Sequence, residues 1–329
     1  MGNTLYINEN ELTRFFHNRG GFLFVALTAV LLTLAAYAAG AIPPVSGEEG
    51  MFFESVDKWI TLPPVSLAVC MAMNIATGYA VVIITKQFNT IRSMSRLMAT
   101  LFLMMQTATP MLMGEFGNGT FIAAVMVIET ALLFSCYDDK SSVRRIFLIF
   151  FILALCAMLS LPMLFYLPFL LLGLAQMKVF SFRALMASII GIITPAWILL
   201  GFGIISPYDF RIPEINTIFT DIPFMDPPLF TAIVLSAGMG ILFLVANLMK
   251  LLSYNARIRA YNGFFILMLF ATIILMLLNI DAIPAYLPML NLAASYQIAH
   301  FFAERRHRRS YIAILATSLP YLVIYVWNL

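Results

Sequence analysis

Residues 144–203 of this chain read RRIFLIFFILALCAMLSLPMLFYLPFLLLGLAQMKVFSFRALMASIIGIITPAWILLGFG. Two arginines open the stretch, an apolar run leads to Pro162 and Pro168, and a second apolar run ends at Lys178. Arg183 then precedes a longer apolar run that contains Pro195. Long apolar runs of this kind are typical of membrane helices. The stretch therefore predicts bilayer-crossing helices with prolines at one end and basic residues at the other.

The composition of the whole chain agrees with that prediction. Hydrophobic residues make up 62% of the 329 positions and charged residues only 11%, with a mean hydropathy of +0.94. In soluble domains about a quarter of the residues are charged. The net charge of +3 does not indicate nucleic-acid binding, because the basic residues form short clusters between apolar runs. We expect an all-α protein, a polytopic transmembrane helix bundle whose first partner is the lipid bilayer.

The hydropathy pattern predicts a cytoplasmic N-terminal segment over 1–20 and a single transmembrane bundle over 21–328. The predicted spans are 21–42, 64–85, 97–113, 120–136, 146–160, 163–177, 184–205, 229–252, 261–279, 284–302 and 311–327. Tyr37 between two alanines resembles a signal-peptide cleavage site. Because the first apolar run exceeds the roughly 7–15 residues of a signal core, we expect an uncleaved first helix.

Charge predicts the orientation of these eleven spans. With the N-terminus inside, 17 of the 19 lysines and arginines lie on the cytoplasmic side, and only Lys58 and Arg211 lie outside. Ten of the 16 acidic residues then lie outside. The positive-inside rule explains this asymmetry. The prediction is a multi-pass bacterial inner-membrane protein with a cytoplasmic N-terminus and a periplasmic C-terminus.

The hairpin over 146–177 is unusually short for two crossings. Each limb has about 15 residues and would reach about 23 Å, whereas the hydrocarbon core is about 30 Å thick. The hairpin either spans a thinned bilayer or is re-entrant and shielded by neighbouring helices. The sequence leaves both possibilities open.

Two outer loops carry carboxylates that could act as a general base. In the first loop Glu54 and Asp57 precede Trp59, and in the longer loop Asp221 and Asp226 follow several aromatic residues. These four acidic residues are the catalytic candidates. The competing interpretation is that acidic outer loops with interfacial aromatics are ordinary in inner-membrane proteins.

Three polar residues within the spans are candidate binding residues. Glu129 is the strongest, because an ionisable group inside a span is costly and usually faces a cavity or a partner. Asn74 and Gln106 are the other two. The competing interpretation for all three is interhelical hydrogen bonding.

Neither a metal nor a cofactor is expected. The histidines, at 17, 300 and 307, are too few and too scattered for a histidine-rich metal site. The three cysteines are not in CxxC spacing, and the sequence contains no P-loop, no dinucleotide-binding fingerprint and no GxSxG elbow.

The central stretch also carries a resemblance. The RRIF start, the proline hairpin, the Phe180–Arg183 motif FSFR and the Gly191 to Pro195 spacing resemble a family of polytopic inner-membrane proteins from the Bacteroidota that is defined only as a domain of unknown function. The resemblance covers about residues 94–202 and implies an inner-membrane location without active-site residues. The acidic first outer loop over 43–64 is similar in position to that of multispanning lipid-linked-sugar glycosyltransferases, which keep acidic catalytic residues there.

The leading functional hypothesis is cell-envelope biogenesis on a lipid-linked or lipid-like substrate at the outer leaflet, with the hairpin and the acidic loops forming the site. A transporter or flippase is the first alternative, in which Pro195, the hairpin and Glu129 belong to a moving pathway. A non-catalytic membrane scaffold of an envelope complex is the second. Whether the chain is an enzyme stays open.

Overall fold

The computed structural model describes residues 19–43, 49–91, 95–206, 208, 210–211, 226–250, 254–304 and 310–329. Within these ranges the chain forms twelve α-helices and two short 3-10 helices, and no strand. The helices are α1 Arg19–Ala38, α2 Pro63–Gln87, α3 Ser95–Ala108, α4 Pro110–Gly114, α5 Asn118–Ser135, α6 Val143–Ala157, α7 Leu167–Gln176, α8 Phe182–Gly201, α9 Pro227–Leu248, α10 Ala256–Leu278, α11 Ile283–Glu304 and α12 Ser310–Asn328. The 3-10 helices are Val56–Trp59 and Leu161–Tyr166.

The predicted all-α class is confirmed, and each predicted span contains helix. Six helices are long and apolar enough to cross a membrane: Gly20–Ala38, Pro63–Gln87, Asn118–Ser135, Phe182–Gly201, Pro227–Leu248 and Ala256–Leu278. These helices indicate a membrane protein. The count of eleven spans and the sides on which the termini lie stay predictions.

The predicted third span, 97–113, differs from the structure because its helix is broken. Helix α3 ends at Ala108, Thr109 is extended with φ −115° and ψ 95°, and α4 begins at Pro110. A residue before proline is disfavoured in the helical region, since the proline ring clashes with its backbone. Pro110 therefore ends one helix and starts the next.

The second limb of the short hairpin is shorter than predicted. Helix α6 has 15 residues, a 3-10 helix with Pro162 forms the tip, and α7 has only 10 residues. At 1.5 Å per residue, α7 is about 15 Å long, half of a hydrocarbon core. Helix α6 packs mainly against α8, and α7 packs against α10.

Helix α11 is the centre of the bundle. Every residue from Ala285 to His300 is buried, and α11 contacts α3, α5, α9 and α10. Helix α3 is likewise almost wholly buried and contacts α1, α2, α11 and α12. Gly119 of α5 permits close packing on α11, because a Cβ atom there would lie 2.5 Å from the carbonyl oxygen of Pro284.

The last helix closes the bundle against the first. The hydroxyl of Tyr325 in α12 donates to the carbonyl of Leu32 in α1 at 2.7 Å. The side-chain amide of Asn328 donates to the carbonyl of Ala108 at the end of α3 at 3.2 Å. The last helix of the described chain is therefore hydrogen-bonded to the first helix, α1, and to the end of α3.

The loops gather at two ends of the bundle. We call the end with the described residues 39–43, 49–62, 109–117, 158–166, 202–206, 208, 210–211, 226 and 279–283 the acidic end, and the end with 88–91, 136–142, 177–181, 249–250 and 254–255 the basic end. At the acidic end, the Met51 and Phe53 amides donate to the carbonyls of Ala157 and Met158 at 3.3 and 3.2 Å. At the basic end, the Asp138 amide donates to the carbonyl of Met177 at 3.0 Å.

Proline starts several helices at the acidic end, as the sequence predicts. Proline occupies the first or second position of α2, the 3-10 helix at the hairpin tip, α7 and α9. The missing proline N–H would have no helical partner there. Helix α5 instead begins after Gly117.

Candidate functional site

A cavity of about 280 Å³ opens at the acidic end. It lies between the end of α1, the start of α2 and the segment after α4. Its lining residues are Tyr37, Gly40, Ile42, Ile60, Thr61, Pro63, Ser66, Gly114 and Glu115. We call this cavity the acidic-end pocket. Its volume suits the head group of an amphipathic molecule better than a whole lipid, because pockets for drug-sized ligands measure about 300–1,000 Å³.

The polar side of the acidic-end pocket is held in place by local hydrogen bonds. The hydroxyl of Ser66, in the first turn of α2, accepts a 2.9 Å hydrogen bond from the Phe116 amide. The Glu115 amide donates to the carbonyl of Met111 at 3.2 Å, which closes the last turn of α4. These bonds fix half-buried Glu115 beside the start of α2. The opposite wall is apolar and includes Ile42 and Ile60.

A cluster of ion pairs lies in the first loop of the acidic end. Lys58 contacts Glu49 at 3.0 Å, and the Arg211 guanidinium also contacts Glu49. Hydrogen bonding from Lys58 lowers the pKa of the Glu49 carboxyl, and the same contact raises the pKa of Lys58. The rings of Phe52 and Phe210 pack at 5.7 Å beside these pairs. The start of the long loop is therefore docked on the first loop.

Three of the four catalytic candidates lie within the described residues. Glu54 is exposed, and Asp57 is half-buried in the 3-10 helix Val56–Trp59. Asp226 is exposed at the start of α9, and no hydrogen bond or ion pair among the described residues joins its side chain to the first loop. Asp221 lies outside the described residues.

Asn74 and Gln106 belong to a chain of side-chain hydrogen bonds across five helices. The Gln106 amide of α3 donates to Asn74 Oδ1 of α2 at 3.0 Å, and Asn291 Nδ2 of α11 donates to Gln106 Oε1 at 2.9 Å. Ser236 of α9 donates to Asn291 Oδ1 at 2.7 Å and lies 3.3 Å from the Tyr321 hydroxyl of α12. All five residues are at most 3% exposed. We call this set the hydrogen-bonded chain.

The hydrogen-bonded chain also extends into the start of α5. Asn74 Nδ2 donates to the carbonyl of Leu112 at 3.0 Å and lies 3.4 Å from the Thr120 hydroxyl. Asn74 and Gln106 thus have protein partners for their amide groups. Their contacts are those of interhelical hydrogen bonding, the competing interpretation of the sequence.

Glu129 is fully buried in α5, and neither of its carboxyl oxygens has a hydrogen-bond partner among the described residues. One turn further along α5, Leu133 packs against Gly173 of α7. Residues four apart share a helix face, so Glu129 faces the short hairpin. An ionised carboxylate without partners in an apolar interior is very costly, which favours the neutral acid.

A second group of unpartnered polar atoms lies near the basic end, between α10 and α11. Asn262, Tyr296, Gln297 and His300 are at most 2% exposed, and each has a side-chain atom without a hydrogen-bond partner in the described part of the chain. Phe265 stacks on Tyr296 at 3.8 Å. Asn262 precedes Phe265 by one turn and His300 follows Tyr296 by one turn, so antiparallel packing places Asn262 and His300 at the same level. Gln297 also accepts a 3.1 Å hydrogen bond at Oε1 from Asn247 of α9. We call these four residues the unpartnered group, after the atoms that lack a partner among the described residues.

Metal-binding side chains do not cluster in the described ranges, where no three His, Cys, Asp or Glu residues come together. Cys70, Cys136 and Cys156 are free and buried.

The sequence pattern singled out the first outer loop, which supplies Ile60, Thr61 and Pro63, but missed the other residues that line the acidic-end pocket. Glu115 lies in the short turn GEFGNG, which reads as a connection between spans, and Tyr37 was of interest only for a cleavage motif. Only the packing of α1 beside α2 and α4 brings the two residues to one cavity. The one signal in the sequence was the position of Glu115, a carboxylate a few residues after Pro110.

Comparison of the chain with protein-family models, with curated protein sequences and with solved structures finds no match in any of the three.

Proposed function

We propose that this chain is a multi-pass protein of the bacterial inner membrane that binds an amphipathic, lipid-like substrate in the acidic-end pocket, as part of cell-envelope biogenesis. The acidic-end pocket is the observation that carries the proposal. It combines apolar walls with hydroxyl groups and a carboxylate, at a bundle end where spanning helices begin. Such a lining suits a molecule whose chain stays in lipid while its head group enters the protein.

The position of the pocket supports a substrate at the outer leaflet. In the proposed orientation the acidic end faces the periplasm, with eleven spans, a cytoplasmic N-terminus and a periplasmic C-terminus. The positive-inside rule is the argument for it, because 17 of the 19 lysines and arginines lie in the sequence segments that connect the helices at the opposite end, in the helix turns beside them or near the N-terminus. The pocket is then level with the outer head groups.

Fusions to alkaline phosphatase test this orientation. A fusion after Leu329 should be active and a fusion after Arg309 inactive, since the enzyme folds only in the periplasm. The reverse pattern would place the acidic-end pocket in the cytoplasm and contradict an outer-leaflet substrate.

Photo-crosslinking tests binding in the pocket. Purified protein in nanodiscs is loaded with a phospholipid that carries a diazirine near its head group, and the labelled peptides are mapped by mass spectrometry. Labels should fall on 37–42, 60–66 and 114–115. Thr61→Trp should remove these labels by filling the cavity, whereas Thr194→Trp on α8 should leave them. Labels confined to the lipid-facing helix surfaces would contradict the proposal.

Glu129 favours a second candidate function, proton-coupled transport or flipping. Its carboxyl is buried, lacks a partner among the described residues and faces the short hairpin, as in membrane proton relays. In a strain whose growth depends on the chain, Glu129→Gln should then abolish function at unchanged protein level. If substrate binding in the acidic-end pocket is the function, Glu115→Gln should abolish growth at unchanged protein level and Glu129→Gln should not. Asp138→Asn, at an exposed carboxylate of the basic end, is the matched control.

A further inference from the structure

We propose that Arg257, in the first turn of α10, is the centre of a binding site for the phosphate of an anionic phospholipid at the basic end. The site is separate from the acidic-end pocket and does not rest on the proposed function. In the proposed orientation of the chain, this phospholipid belongs to the cytoplasmic leaflet.

Two aromatic rings and one hydrogen bond position the Arg257 side chain. Its Nε atom donates to the Tyr261 hydroxyl at 2.7 Å, and Tyr261 in turn donates to the carbonyl of Phe134 at 3.1 Å. The guanidinium carbon lies 5.9 Å from the centre of the Tyr137 ring and 5.6 Å from that of the Tyr261 ring. Both distances are within the range of cation–π attraction. The guanidinium is therefore held in place before any ligand binds.

The outer edge of the same guanidinium has no protein partner in the described part of the chain. The Nε bond is the hydrogen bond that Arg257 makes there, and its two terminal nitrogens stay open. The ion pairs within the described ranges involve Lys58, Arg145 and Arg211 instead. The Arg257 side chain is exposed. A guanidinium edge of this kind matches two oxygens of one phosphate.

The start of α10 adds positive potential and no negative side chain. Asn255, the residue before the helix, makes no side-chain capping hydrogen bond, and the first turn contains no acidic residue. The first N–H groups of a helix lack helical partners and form the positive end of its dipole. An arginine in this turn does not favour the helix itself, since cations are stabilising at the opposite end. An anion bound beside Arg257 would offset both positive contributions.

The carboxylates that follow Tyr137 in the chain do not neutralise the site. Asp139 is paired with Arg145 at 3.1 Å. Asp138 is exposed, and it forms no ion pair with Arg257 in the described chain. Arg257 therefore keeps its positive charge for a ligand.

The position of Arg257 along α10 favours a lipid phosphate over a soluble one. Helix α10 is long and apolar enough to cross a membrane, and its 23 residues measure about 35 Å at 1.5 Å per residue. The hydrocarbon core is about 30 Å thick, so the first turn lies at the level of the head groups. An anionic lipid such as phosphatidylglycerol is the better ligand, because the amine of a zwitterionic head group offsets the charge of its own phosphate.

Photo-crosslinking with matched lipids tests the site. Full-length protein in phosphatidylcholine nanodiscs receives a trace of phosphatidylglycerol or of phosphatidylcholine, each with a diazirine near its head group, and labelled peptides are mapped by mass spectrometry. High salt is used, because it screens the general attraction between exposed charges. Phosphatidylglycerol should label 136–142 and 256–261 about tenfold more than phosphatidylcholine, which corresponds to about 1.4 kcal/mol.

Two arginines of α10 supply matched variants. Arg257→Gln should bring phosphatidylglycerol labelling of these peptides down to the phosphatidylcholine level. Arg259→Gln makes the same charge change at an exposed arginine that lies over no aromatic ring of the described residues, and it should leave the labelling nearly unchanged. Arg257→Lys keeps the charge but loses the planar edge and the bond to Tyr261, so the labelling should fall. If Arg257→Gln does not fold, Arg257→Lys and the comparison of the two lipids decide.

Four outcomes would overturn the inference. Equal labelling by the two lipids, or equal losses in Arg257→Gln and Arg259→Gln, would leave only the general attraction of a basic surface. Full labelling of Arg257→Lys would show that any positive charge suffices. Loss of the label on addition of inorganic phosphate would show that the site takes a soluble anion. None of these results changes the labels expected in the acidic-end pocket, so this inference and the proposed function fail separately.

Discussion

The hydrogen-bonded chain and the unpartnered group lie in the same bundle but differ in how their polar atoms are used. In the hydrogen-bonded chain, Gln106 donates to one neighbouring helix and accepts from another. In the unpartnered group, both polar atoms of Asn262 lack a partner in the described part of the chain. Burial does not explain the difference, since Gln106 and Asn262 are each 0% exposed.

The difference teaches which polar residues fix the structure. Membrane helices gain little from the hydrophobic effect between them, so packing and interhelical hydrogen bonds decide their arrangement. The hydrogen-bonded chain joins α2, α3, α11, α9 and α12, with every link between different helices. Polar atoms without such links, in Glu129 and in the unpartnered group, do not hold helices together and are available to a proton, water or a ligand.

Gln106→Leu should give the largest effect, because it breaks the hydrogen-bonded chain at its centre. Asn74 Oδ1 and Asn291 Nδ2 both lose a buried partner, and each unsatisfied group costs about 1–3 kcal/mol. We expect a loss of about 2–4 kcal/mol in the free energy of unfolding, measured by thermal unfolding in detergent. Gln87→Leu, at the exposed end of α2, is the control. Equal unfolding midpoints for both variants would show that the hydrogen-bonded chain does not stabilise the bundle.

Glu129→Leu should change stability in the opposite direction. It removes a buried carboxyl that has no partner among the described residues and replaces it with an apolar side chain of similar size. We expect a gain of about 1–3 kcal/mol, the desolvation cost of such a group, in the same unfolding measurement. A lower unfolding midpoint would mean that water or an ion satisfies the carboxyl.

Asn262→Leu should have a smaller effect, within about 1 kcal/mol of the unmodified protein, because no hydrogen bond to a described residue is lost. Gln106→Leu is the direct comparison, since both variants replace a buried amide with leucine. If Asn262→Leu destabilises the bundle as strongly, the amide is bonded to water or to a ligand. The two regions would then differ only in what their polar atoms bind: protein groups in the hydrogen-bonded chain, and water or a ligand in the unpartnered group.

Acidification should give the smallest effect, confined to the exposed ion pairs at Glu49. Because its pKa is lowered in the folded protein, Glu49 is ionised at neutral pH and holds Lys58 and Arg211. The contact is lost only as the pH falls through this lowered value, below the ordinary carboxyl pKa of about 4.3. The fluorescence of neighbouring Trp59 should change over that range and not in Glu49→Gln. A change centred above pH 5 would contradict this assignment.

Much of the fold follows from local patterns in the sequence. Apolar runs predict helix in every span, and the prolines at 63, 162, 168 and 227 mark helix starts that the structure contains. The break at Thr109 was also readable from Pro110. The central position of α11 could not be read from the sequence, because its polar residues lie on several faces and give no amphipathic stripe. In hindsight those residues indicate a helix with protein on every side.

The candidate site was less predictable, because it depends on contacts between distant segments. The polarity of Asn74 and Gln106 inside spans is visible in the sequence, but their mutual bond requires α2 and α3 to pack in one register. Glu115 was hidden in a turn between two spans. The pocket exists because residues from 37 to 115 meet at one bundle end, and no local pattern encodes that meeting.

The contacts of α12 with α1 and α3 have a consequence for biogenesis. The two hydrogen bonds join residues 293 and 220 positions apart in the chain. Helix α12 leaves the ribosome after the other described helices, so α1 and α3 enter the membrane long before their neighbour is made. Until then the bundle has an open seam beside α1 and α3, where α12 later packs. Completion of the seam, and of the hydrogen-bonded chain through Tyr321, is therefore a late step of assembly.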